Sequence, residues 1–465
     1  MPQKHKIYFR ADAGPKIGYG HFIRTLALVD MLKEDFECSL YTQTPTEYQL
    51  HEAEDICPLV SLPADDSKFN LFLSQLQGDE IVVLDNYFFS TEYQRVIKDK
   101  GCKVVCIDDR HDKHYVANVV INHGVEDSNL FDIEPYTKLC LGYNYALLRK
   151  PFISLPKSHN RQKGLVLVCF GGSDPYNLTK RYIEQLIKYP WVEQIVAVVG
   201  DGYPYRDELV TLYKTEIRAR LSASQMADLF CRAECVVCSA SSTAYEAIAC
   251  GATVYAGWYI DNQKDFYHHL CATQAIVPLG NLLESHLVID RHAKTKSICL
   301  DVSKSNLRKV FWQLVLRQIN YTEMSESESR AVWKTRNLPQ IRQWMLHSNP
   351  FSWENHLQFI ANLTERNDKQ YFAFFNAEQF VASYDLTNIH NGEAECGLYL
   401  HPDYIGKGIA TIVEERMEEI ASTQGIHTLI SQVMNTNTAS LSFFTRNGFL
   451  PTGQNEHLTY FEKQI

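Results

Sequence analysis

Short apolar segments alternate with amphipathic segments along the first third of the chain, and this alternation restricts the fold more than any other feature. The apolar segments read KIYFRAD, CSLYTQ, EIVVLDN, KVVCIDD and ANVVINH, with helices predicted near His21–Asp35 and Glu92–Lys100. Such alternation is typical of βαβ units, in which helices cover both faces of a parallel sheet. The pattern returns from Gly164–Phe170 through QIVAVVG, ECVVCSA and ATVYAGW. The sequence therefore predicts two similar α/β domains in succession.

A connection between the two domains is predicted at Lys150–Lys163 from its turn-forming residues, which are Pro151, Pro156, Ser158 and Asn160. This assigns residues 1–150 to the first domain and residues 151–316 to the second. Ligands of open parallel sheets bind beyond the carboxyl ends of the strands. Functional residues are therefore expected at strand ends that face a cleft between the two sheets.

The pattern changes near residue 316, where a helix predicted over Ser305–Gln318 runs directly into NYTEMSESES. Further helices are predicted near Pro339–Leu346, Trp353–Arg366, Ala410–Ser422 and Thr438–Asn447, and strands at YFAFFN, QFVASYDLT, AECGLYLH and TLISQVM. Several strands come before a glycine-rich turn, which is the order of an α+β domain and not of βαβ units. Residues 317–465 are therefore predicted to form a separate α+β domain.

The composition excludes several classes of function. Apolar residues make up 45% of the 465 and charged residues 22%, the balance of a globular chain with roughly three domains. A formal charge of -10 and the lack of a Lys/Arg-rich run argue against nucleic acids and anionic membranes as partners. Because no apolar segment has the length of a signal or of a membrane span, we expect a soluble, cytoplasmic protein.

The thirteen cysteines are scattered through strand-like contexts without a regular framework, which favours reduced thiols. Cys235 and Cys238 form one close pair, in CVVC. The sequence has no second pair to complete a zinc site, so we interpret both as small core residues.

The segment RADAGPKIGYGHFIRTLAL places Gly18 and Gly20 in a turn after the first strand and His21 at the start of a helix. It resembles the N-terminal signature of the hydrolase family of the pseudaminic-acid pathway, which removes UDP from a diacetamido-trideoxy-altrose. Further motifs follow in the order of that family: VVLDNY, CIDDR, INH, YALLRKPF, FGGSDPYNLT, SASSTAYEAIACG and DNQ. The resemblance implies two Rossmann-like domains in a glycosyltransferase-B-like (GT-B-like) arrangement. It also implies inversion at the anomeric carbon without a covalent intermediate or a metal.

These motifs supply the candidate residues of a hydrolase site. Backbone N–H groups of the Gly171–Ser173 turn, and of Ser241, Ser242 and Thr243 at the start of a helix, can bind phosphates. By analogy with the family, Glu246, Asn262 and Gln263 contact ribose, uracil or sugar. The full predicted set for substrate binding is Gly18, Gly20, Asp85, Tyr87, Asp109, Asn122, Gly171, Gly172, Ser173, Asp174, Ser242, Thr243, Glu246, Asn262 and Gln263.

His21 is predicted to be the base that activates water, because the positive end of a helix dipole favours the neutral imidazole. Without the resemblance, a histidine at a helix start is more often a capping or packing residue. The carboxylates that could orient the water, bind the sugar or cap a helix are Asp12, Asp85, Asp109 and Asp174. We rank Asp12 first and place it in the catalytic set with His21, because it is the carboxylate nearest to His21 in sequence.

The segment GLYLHPDYIGKGIATIVEERM resembles the pyrophosphate-binding motif of the GCN5-related N-acetyltransferase (GNAT) superfamily. Backbone amides at a helix N-terminus there surround the pyrophosphate of coenzyme A. The matching positions are Gly406, Lys407, Gly408, Ile409 and Ala410, and Asn437 in NTASLSFFTRNGF is expected to contact the cofactor. Acetyl-CoA is therefore the predicted co-substrate. Arg or Gln often leads this loop, but backbone binding tolerates the Ile405 found here.

Phe444 stands where the superfamily usually has the tyrosine that protonates the CoA thiolate. In that case Tyr404, Tyr460 or water serves as the acid, or the domain is slow or inactive. Glu393 and Glu395 are possible bases for the acceptor amine, although exposed strand glutamates are usually only solvated.

The segment WKTRNLPQIRQWMLHSNPFSWENHLQFI further resembles the pseudaminic-pathway acetyltransferase, which acetylates the 4-amino group of a UDP-linked amino sugar. Because that product is the substrate of the hydrolase family, we expect a bifunctional enzyme that acts on small UDP-amino-sugars. The alternatives are a glycosyltransferase joined to a protein N-terminal acetyltransferase, and a non-catalytic nucleotide-sugar sensor.

Overall fold

A computed structural model describes residues 4–14, 18–153, 160–200, 202–345 and 347–465. Pro156 and Ser158 of the predicted connection lie outside these residues, as does Leu346 at the end of a predicted helix. The chain divides into two compact units, one of residues 6–308 and one that contains residues 309–465. None of the described helices is both long and apolar enough to cross a lipid bilayer.

The first half of the 6–308 unit is built around a parallel sheet. Its strands are β1 (Lys6–Arg10), β2 (Glu37–Gln43), β3 (Leu59–Leu62), β4 (Ile81–Leu84), β5 (Lys103–Ile107), β6 (His114–Tyr115), β7 (Val119–Asn122), β8 (Asp132–Ile133) and β9 (Lys138–Leu141). Its helices are α1 (Gly20–Leu32), α2 (Glu47–Ala53), α3 (Ser67–Ser74), α4 (Thr91–Asp99) and α5 (Lys150–Ile153). The sheet order is β3-β2-β1-β4-β5-β7-β9, so the order reverses direction between β1 and β4. Such a switch point is where open α/β sheets bind ligands.

The second half of this unit contains another parallel sheet. Its strands are β10 (Gln162–Cys169), β11 (Gln194–Val198), β12 (Thr215–Arg218), β13 (Ala233–Ser239), β14 (Thr253–Trp258) and β15 (Val277–Asn281). The helices are α6 (Leu178–Leu186), α7 (Arg206–Leu209), α8 (Ala223–Arg232), α9 (Ser242–Ala249), α10 (Lys264–Ala272) and α11 (Ser303–Val315). The order is β12-β11-β10-β13-β14-β15, with a switch point between β10 and β13.

Burial along the central strands explains why these segments form parallel sheets. Every residue of β4 and β7 is buried, as is β5 after its first residue. In a parallel sheet covered on both faces, strands are apolar along their whole length and do not alternate. The predicted parallel α/β sheets are therefore confirmed, and the free thiols of Cys235 and Cys238 lie buried on β13.

The unit that contains residues 309–465 has a mixed sheet. Its strands are β16 (Leu316–Asn320), β17 (Lys369–Asn376), β18 (Gln379–His390), β19 (Glu393–Leu400), β20 (Thr428–Met434), β21 (Leu450–Gln454) and β22 (Leu458–Gln464). The helices are α12 (Glu326–Arg336), α13 (Pro339–Arg342), α14 (Trp353–Leu363), α15 (Ile409–Thr423) and α16 (Thr438–Arg446). The order is β16-β17-β18-β19-β20-β22-β21. Except for the parallel pair β19–β20, the neighbouring strands of this sheet are antiparallel.

The parallel strands β19 and β20 pair over only part of their length. Their last pair joins Glu395 to Ile430, although β19 continues to Leu400. β20 pairs along its whole length with β22 on its other side. Within this described unit, the facing edges of β19 and β20 thus share no pairs beyond Glu395. Such a split leaves backbone N–H and C=O groups that another extended chain can pair with.

Two predictions for this part of the chain differ from the structure. The helix predicted over Ser305–Gln318 is wrong at its end, because α11 stops at Val315 and β16 follows, paired with β17. Pairing in the sheet overrides the helical propensity of these residues. α12 is not among the predicted helices, although Ser325 and Glu328 form a capping box at its start.

Glu414 lies fully buried on α15, between this helix and the sheet. Its Oε1 accepts a hydrogen bond of 2.9 Å from the Tyr384 hydroxyl, and its Oε2 has no partner among the described residues. Burial raises the pKa of Glu414 to about 7, and the Tyr384 hydrogen bond offsets only part of this effect. The carboxyl is therefore protonated in the folded protein at pH values where an unfolded chain ionises it.

The variant Glu414→Gln is expected to stabilise this unit at pH 8 by about 3 kcal/mol and to change its stability little below pH 5. Because the pKa of Glu414 is higher in the folded than in the unfolded chain, ionisation of this carboxyl lowers the stability of the folded unit. This loss is absent when the carboxyl is protonated in both the folded and the unfolded state, and it grows as the pH rises from about 4.5 to about 7. Thermal unfolding of the variant and the wild type at both pH values measures the difference. Glu418→Gln, on the same helix but paired with Lys463, is the matched control and should not stabilise. Equal effects of Glu414→Gln at the two pH values would contradict the assignment.

Candidate active site

His21 occupies the second position of α1, directly after the turn that contains Gly18. Gly18 has a φ of +88° and pairs with Gly14 across this turn, which explains the glycine at that position. The His21 ring packs edge-on against the Tyr87 ring, with 4.7 Å between centroids. Its Nδ1 lies 2.7 Å from Oδ1 of Asp85, while no described residue hydrogen-bonds to Nε2.

Asp85, directly after β4, is the carboxylate that holds His21. It is fully buried and accepts bidentate hydrogen bonds of 2.7 and 2.6 Å from Arg24, together with one of 2.9 Å from Thr25. Burial alone would raise the pKa of Asp85, but the Arg24 guanidinium and the His21 ring hold it well below its usual range. Asp85 is therefore an ionised acceptor, and a hydrogen bond from His21 to it requires the proton on Nδ1. Nη2 of Arg24 also lies 3.1 Å from this Nδ1, and the same guanidinium donates to Asp85.

A chain of hydrogen bonds continues from Asp85 towards the second sheet. Arg24 donates to Asp109 at 2.9 Å, and the Tyr87 hydroxyl donates to the same carboxylate oxygen at 3.1 Å. Asn262, from the second half of the unit, donates to the Tyr87 hydroxyl at 2.9 Å. Residues from both halves of the 6–308 unit therefore belong to the network that holds the His21 ring.

A cavity of about 540 Å³ lies beside this network and is lined from both halves of the unit. The predicted residues that line it are Gly20, His21, Tyr87, Asp109, Asn122, Ser242, Asn262 and Gln263. Ser241, from the predicted phosphate-binding helix start, also lines it. The lining residues that were not predicted are Arg24, Arg110, His123, Gly124, Val125, Ala240, Ile260, Asp261, Asp265 and Phe266. Several separate motifs of the sequence therefore meet at one cavity.

A second imidazole, that of His123, lines the same cavity but is unsuited to accept a proton. The backbone N–H of Leu147 donates to its Nδ1 at 3.1 Å. Burial, with the Arg24 guanidinium, lowers the pKa of His123 to about 3. A ring with so low a pKa is a weak base near neutral pH.

Asp12 does not lie beside His21, and Asp85 takes the position expected for it. The Asp12 carboxylate is fully buried, forms ion pairs with Arg10 and Lys68, and is not among the residues that line the cavity. Proximity in sequence misled the ranking because the strand order brings the end of β4 next to the end of β1.

Several other predicted residues lie outside the lining of the cavity. Asp174 accepts from the N–H groups of Leu178 and Thr179 at 2.9 and 2.7 Å, so its carboxylate caps the start of α6. Glu246 forms a bidentate ion pair with Arg149, at 2.8 and 3.0 Å. The other predicted residues outside the lining are Gly18, Asp85, Gly171, Gly172, Ser173 and Thr243, of which Asp85 lies behind His21 as its hydrogen-bond partner.

Arg24 is the most informative residue that the sequence analysis missed. It lies three residues after His21, so the two side chains share one face of α1. An arginine three residues after the helix-start histidine, together with aspartates at two later strand ends, is a sequence pattern that predicts a network of charged residues.

The glycine-rich loop before α15 has the geometry of an anion site. Gly406 and Gly408 have φ values of +79° and +78°, and a Cβ added to either would meet no atom within 4 Å. Gly408 is the N-cap of α15, which leaves the first N–H groups of that helix available. Ile405 is 65% exposed beside this open space.

Phe444, at the usual position of the acid of acetyl transfer, and the two tyrosines that could replace it differ in how accessible they are. Phe444 is buried and packs against Phe449 and Phe461. Tyr404 is also buried, and its hydroxyl donates to Gln379 at 2.9 Å. Tyr460 is only half-buried and accepts from Asn455 at 3.0 Å, so Tyr460 and water are the better placed candidates.

Two further predicted residues of this unit have identified positions. The side chain of Asn437 accepts from the N–H of Ser440 and caps α16. Glu393 and Glu395 lie on β19 within its paired segment. In the described part of the chain, no three His, Cys, Asp or Glu residues are grouped in a way that could hold a metal ion.

Comparisons with known proteins find relatives of two kinds, acetyltransferases and a UDP-sugar hydrolase. Residues 314–450 match the family model described as an acetyltransferase (GNAT) domain. The acetyltransferase PseH of Campylobacter jejuni is 32% identical over 131 residues, which cover 28% of this chain and 82% of that protein. The UDP-2,4-diacetamido-2,4,6-trideoxy-beta-L-altropyranose hydrolase of Campylobacter jejuni is 26% identical over 270 residues, covering 56% of this chain and 93% of that protein. An uncharacterized protein of Methanocaldococcus jannaschii is 22% identical over 478 aligned positions, covering 96% of this chain and 97% of its own.

Proposed function

This chain belongs, through its C-terminal unit, to the GNAT acetyltransferase family that includes PseH. We propose that the chain carries out two reactions on one nucleotide sugar. The C-terminal unit transfers the acetyl group of acetyl-CoA to the 4-amino group of a UDP-amino-sugar. The 6–308 unit then hydrolyses the acetylated UDP-sugar and releases UDP, in the biosynthesis of pseudaminic acid. The observation that carries the proposal is the His21–Asp85 pair beside a cavity lined from both parallel sheets.

The geometry of His21 supports a role as general base in the hydrolysis. With the proton on Nδ1 and hydrogen-bonded to Asp85, the lone pair of Nε2 is left to accept a proton from water. In the proposed step the water oxygen bonds to C1 of the sugar. The bond from C1 to the diphosphate oxygen breaks, and its electron pair leaves with UDP. Attack opposite the diphosphate inverts the configuration at C1.

Two features support binding of the diphosphate between two Rossmann-like domains in a GT-B-like arrangement. Each sheet has its own switch point, and α9 begins at Ser242, a residue that lines the cavity. The N–H groups at a helix N-terminus bind anions. We assign the diphosphate to this end of α9, with Asn262 and Gln263 beside the nucleoside or the sugar.

Two features of the C-terminal unit support binding of acetyl-CoA. The loop at Gly406–Gly408 offers N–H groups for the pyrophosphate. The split between β19 and β20 begins after Glu395 and runs toward Leu400, the end of β19 that leads into this loop. Its unpaired edges suit the amide groups of an extended pantetheine arm. The thioester would then lie in the split.

Incubation with acetyl-CoA and a UDP-4-amino-sugar in oxygen-labelled water tests both reactions together. We expect mass spectrometry to find the acetylated UDP-sugar first, and then free sugar that carries the label together with unlabelled UDP. Nuclear magnetic resonance of the first-formed sugar should show the inverted anomer. Label in UDP would contradict attack at C1.

The same assay separates the alternative functions. Release of UDP only after an acceptor sugar is added would indicate a glycosyltransferase and contradict the hydrolase proposal. Binding of the UDP-sugar without any turnover would indicate a sensor. Acetylation of peptide amines in preference to the UDP-amino-sugar would contradict the proposed acceptor.

A further inference from the structure

Asp385, on β18, lies directly across from Gly397 of β19. A Cβ added to Gly397 would be 2.8 Å from Oδ1 of Asp385, so the carboxylate rests against the backbone of this glycine. Gly397 comes shortly after Glu395, the last residue of β19 that pairs with β20. The carboxylate therefore overlies the point where β19 and β20 separate.

The Asp385 carboxylate makes no hydrogen bond or ion pair within the described part of the chain, although charged and polar groups surround it. These groups interact electrostatically with the Asp385 carboxylate. They are Arg336 of α12, Lys369 and Tyr371 of β17, Glu395, Cys396 and Tyr399 of β19, and Tyr321. Nη1 of Arg336 is buried without a hydrogen-bond partner, whereas the Asp385 side chain is partly exposed. An unsatisfied buried polar atom is unfavourable, so a polar ligand that bonds to Arg336 beside the accessible Asp385 carboxylate would be stabilised here.

We propose that Asp385 is the catalytic residue that takes the proton from the ammonium group of the acceptor amine in acetyl transfer. This role rests on the proposed acetyltransferase function. It adds a carboxylate on β18 to Glu393 and Glu395, the two candidates on β19. Burial, opposed in part by Arg336, raises the pKa of Asp385 to about 7. A base is most effective when its pKa is near the working pH.

The proposed step balances as follows in protons and electron pairs. One proton passes from the ammonium nitrogen to the Asp385 carboxylate and then to solvent. The freed lone pair forms the bond from nitrogen to the acetyl carbon, and the bond from that carbon to sulfur breaks with its electrons on sulfur. A second proton leaves the nitrogen as the amide forms, and the thiolate takes up one proton to give CoASH.

The test compares Asp385→Asn with Glu395→Gln in the full chain, with acetyl-CoA and a UDP-4-amino-sugar as substrates. We expect Asp385→Asn to lower kcat/KM for the amine about 100-fold and to remove the loss of activity that the wild type shows below about pH 7. Glu395→Gln should keep this acid limb, shifted to lower pH, because Glu395 raises the pKa of Asp385. The Kd of acetyl-CoA, measured by calorimetry, should be unchanged in both variants.

UDP release from an already acetylated UDP-sugar is the internal control, because it depends on the other unit of the chain. If the wild type is active and Asp385→Asn is equally active, the proposed role of Asp385 is wrong. The same holds if Asp385→Asn still loses activity below about pH 7. Either result leaves the acetyl-transfer function in place. A wild type that transfers no acetyl group to the UDP-amino-sugar overturns the acetyl-transfer function and this role with it.

Discussion

Replacing His21 with asparagine is expected to slow UDP release from the acetylated UDP-sugar by about 1,000-fold. The asparagine amide can still donate to Asp85, which is ionised and buried, so the network around Arg24 should be preserved. What the variant lacks is a nitrogen that accepts the proton of water. The measurement is the rate of UDP release under saturating substrate, together with the KM, which should change little.

His51→Asn is the matched control for this variant. His51 lies on α2 in the same half of the unit, and its side chain is largely exposed. Acetyl transfer by the C-terminal unit should be unchanged in both variants. Wild-type UDP release by His21→Asn would remove this imidazole from the mechanism, and with it the main support for hydrolysis at this cavity.

Replacing Gly408 with valine is expected to raise the KM for acetyl-CoA about 100-fold while UDP release stays unchanged. Such a rise corresponds to about 2.7 kcal/mol, the energy of one or two hydrogen bonds to a charged group. A β-branched residue is strained at a φ of +78°, and its side chain would project into the open space in front of the α15 N-terminus. Steady-state acetylation kinetics with varied acetyl-CoA measure the effect.

Gly425→Val separates strain from loss of the anion site. Gly425 also has a φ of +78° and open space around its missing side chain, but it follows the C-terminal end of α15. Both variants should be destabilised to a similar degree. An equal rise in KM in both variants would show that strain alone is responsible and would contradict the proposed coenzyme loop.

The sequence predicted the parallel sheets well because their strands are apolar along the whole length and are separated by amphipathic helices. Tyr87, Asn122 and Asn262 were selected as site residues from motifs far apart in the chain, and all three line one cavity. The network behind His21 was harder to predict, because it depends on which strands are neighbours. Strand order places Asp85 beside His21, and no local pattern encodes that order.

The errors in the C-terminal part have a related cause. The segment Leu316–Asn320 is a strand because β17 pairs with it, from Leu316 with Asn376 to Asn320 with Phe372, and these partners are distant in sequence. Asp385 escaped attention for the same reason, since its significance comes from Gly397 on the neighbouring strand and from the split beyond it. Pairings between distant segments are not visible in local periodicity.

Two contacts that join the halves of the 6–308 unit differ greatly in strength. Arg149 and Glu246 form a bidentate, largely buried ion pair, whose disruption costs roughly 3–5 kcal/mol. The hydrogen bond from Asn262 to Tyr87 is exposed and neutral, and its loss costs only about 1 kcal/mol. Of these two contacts, the one at Tyr87 should therefore break first if the unit widens to admit a nucleotide. Because the Tyr87 ring packs against His21, its movement would leave one side of the imidazole without support.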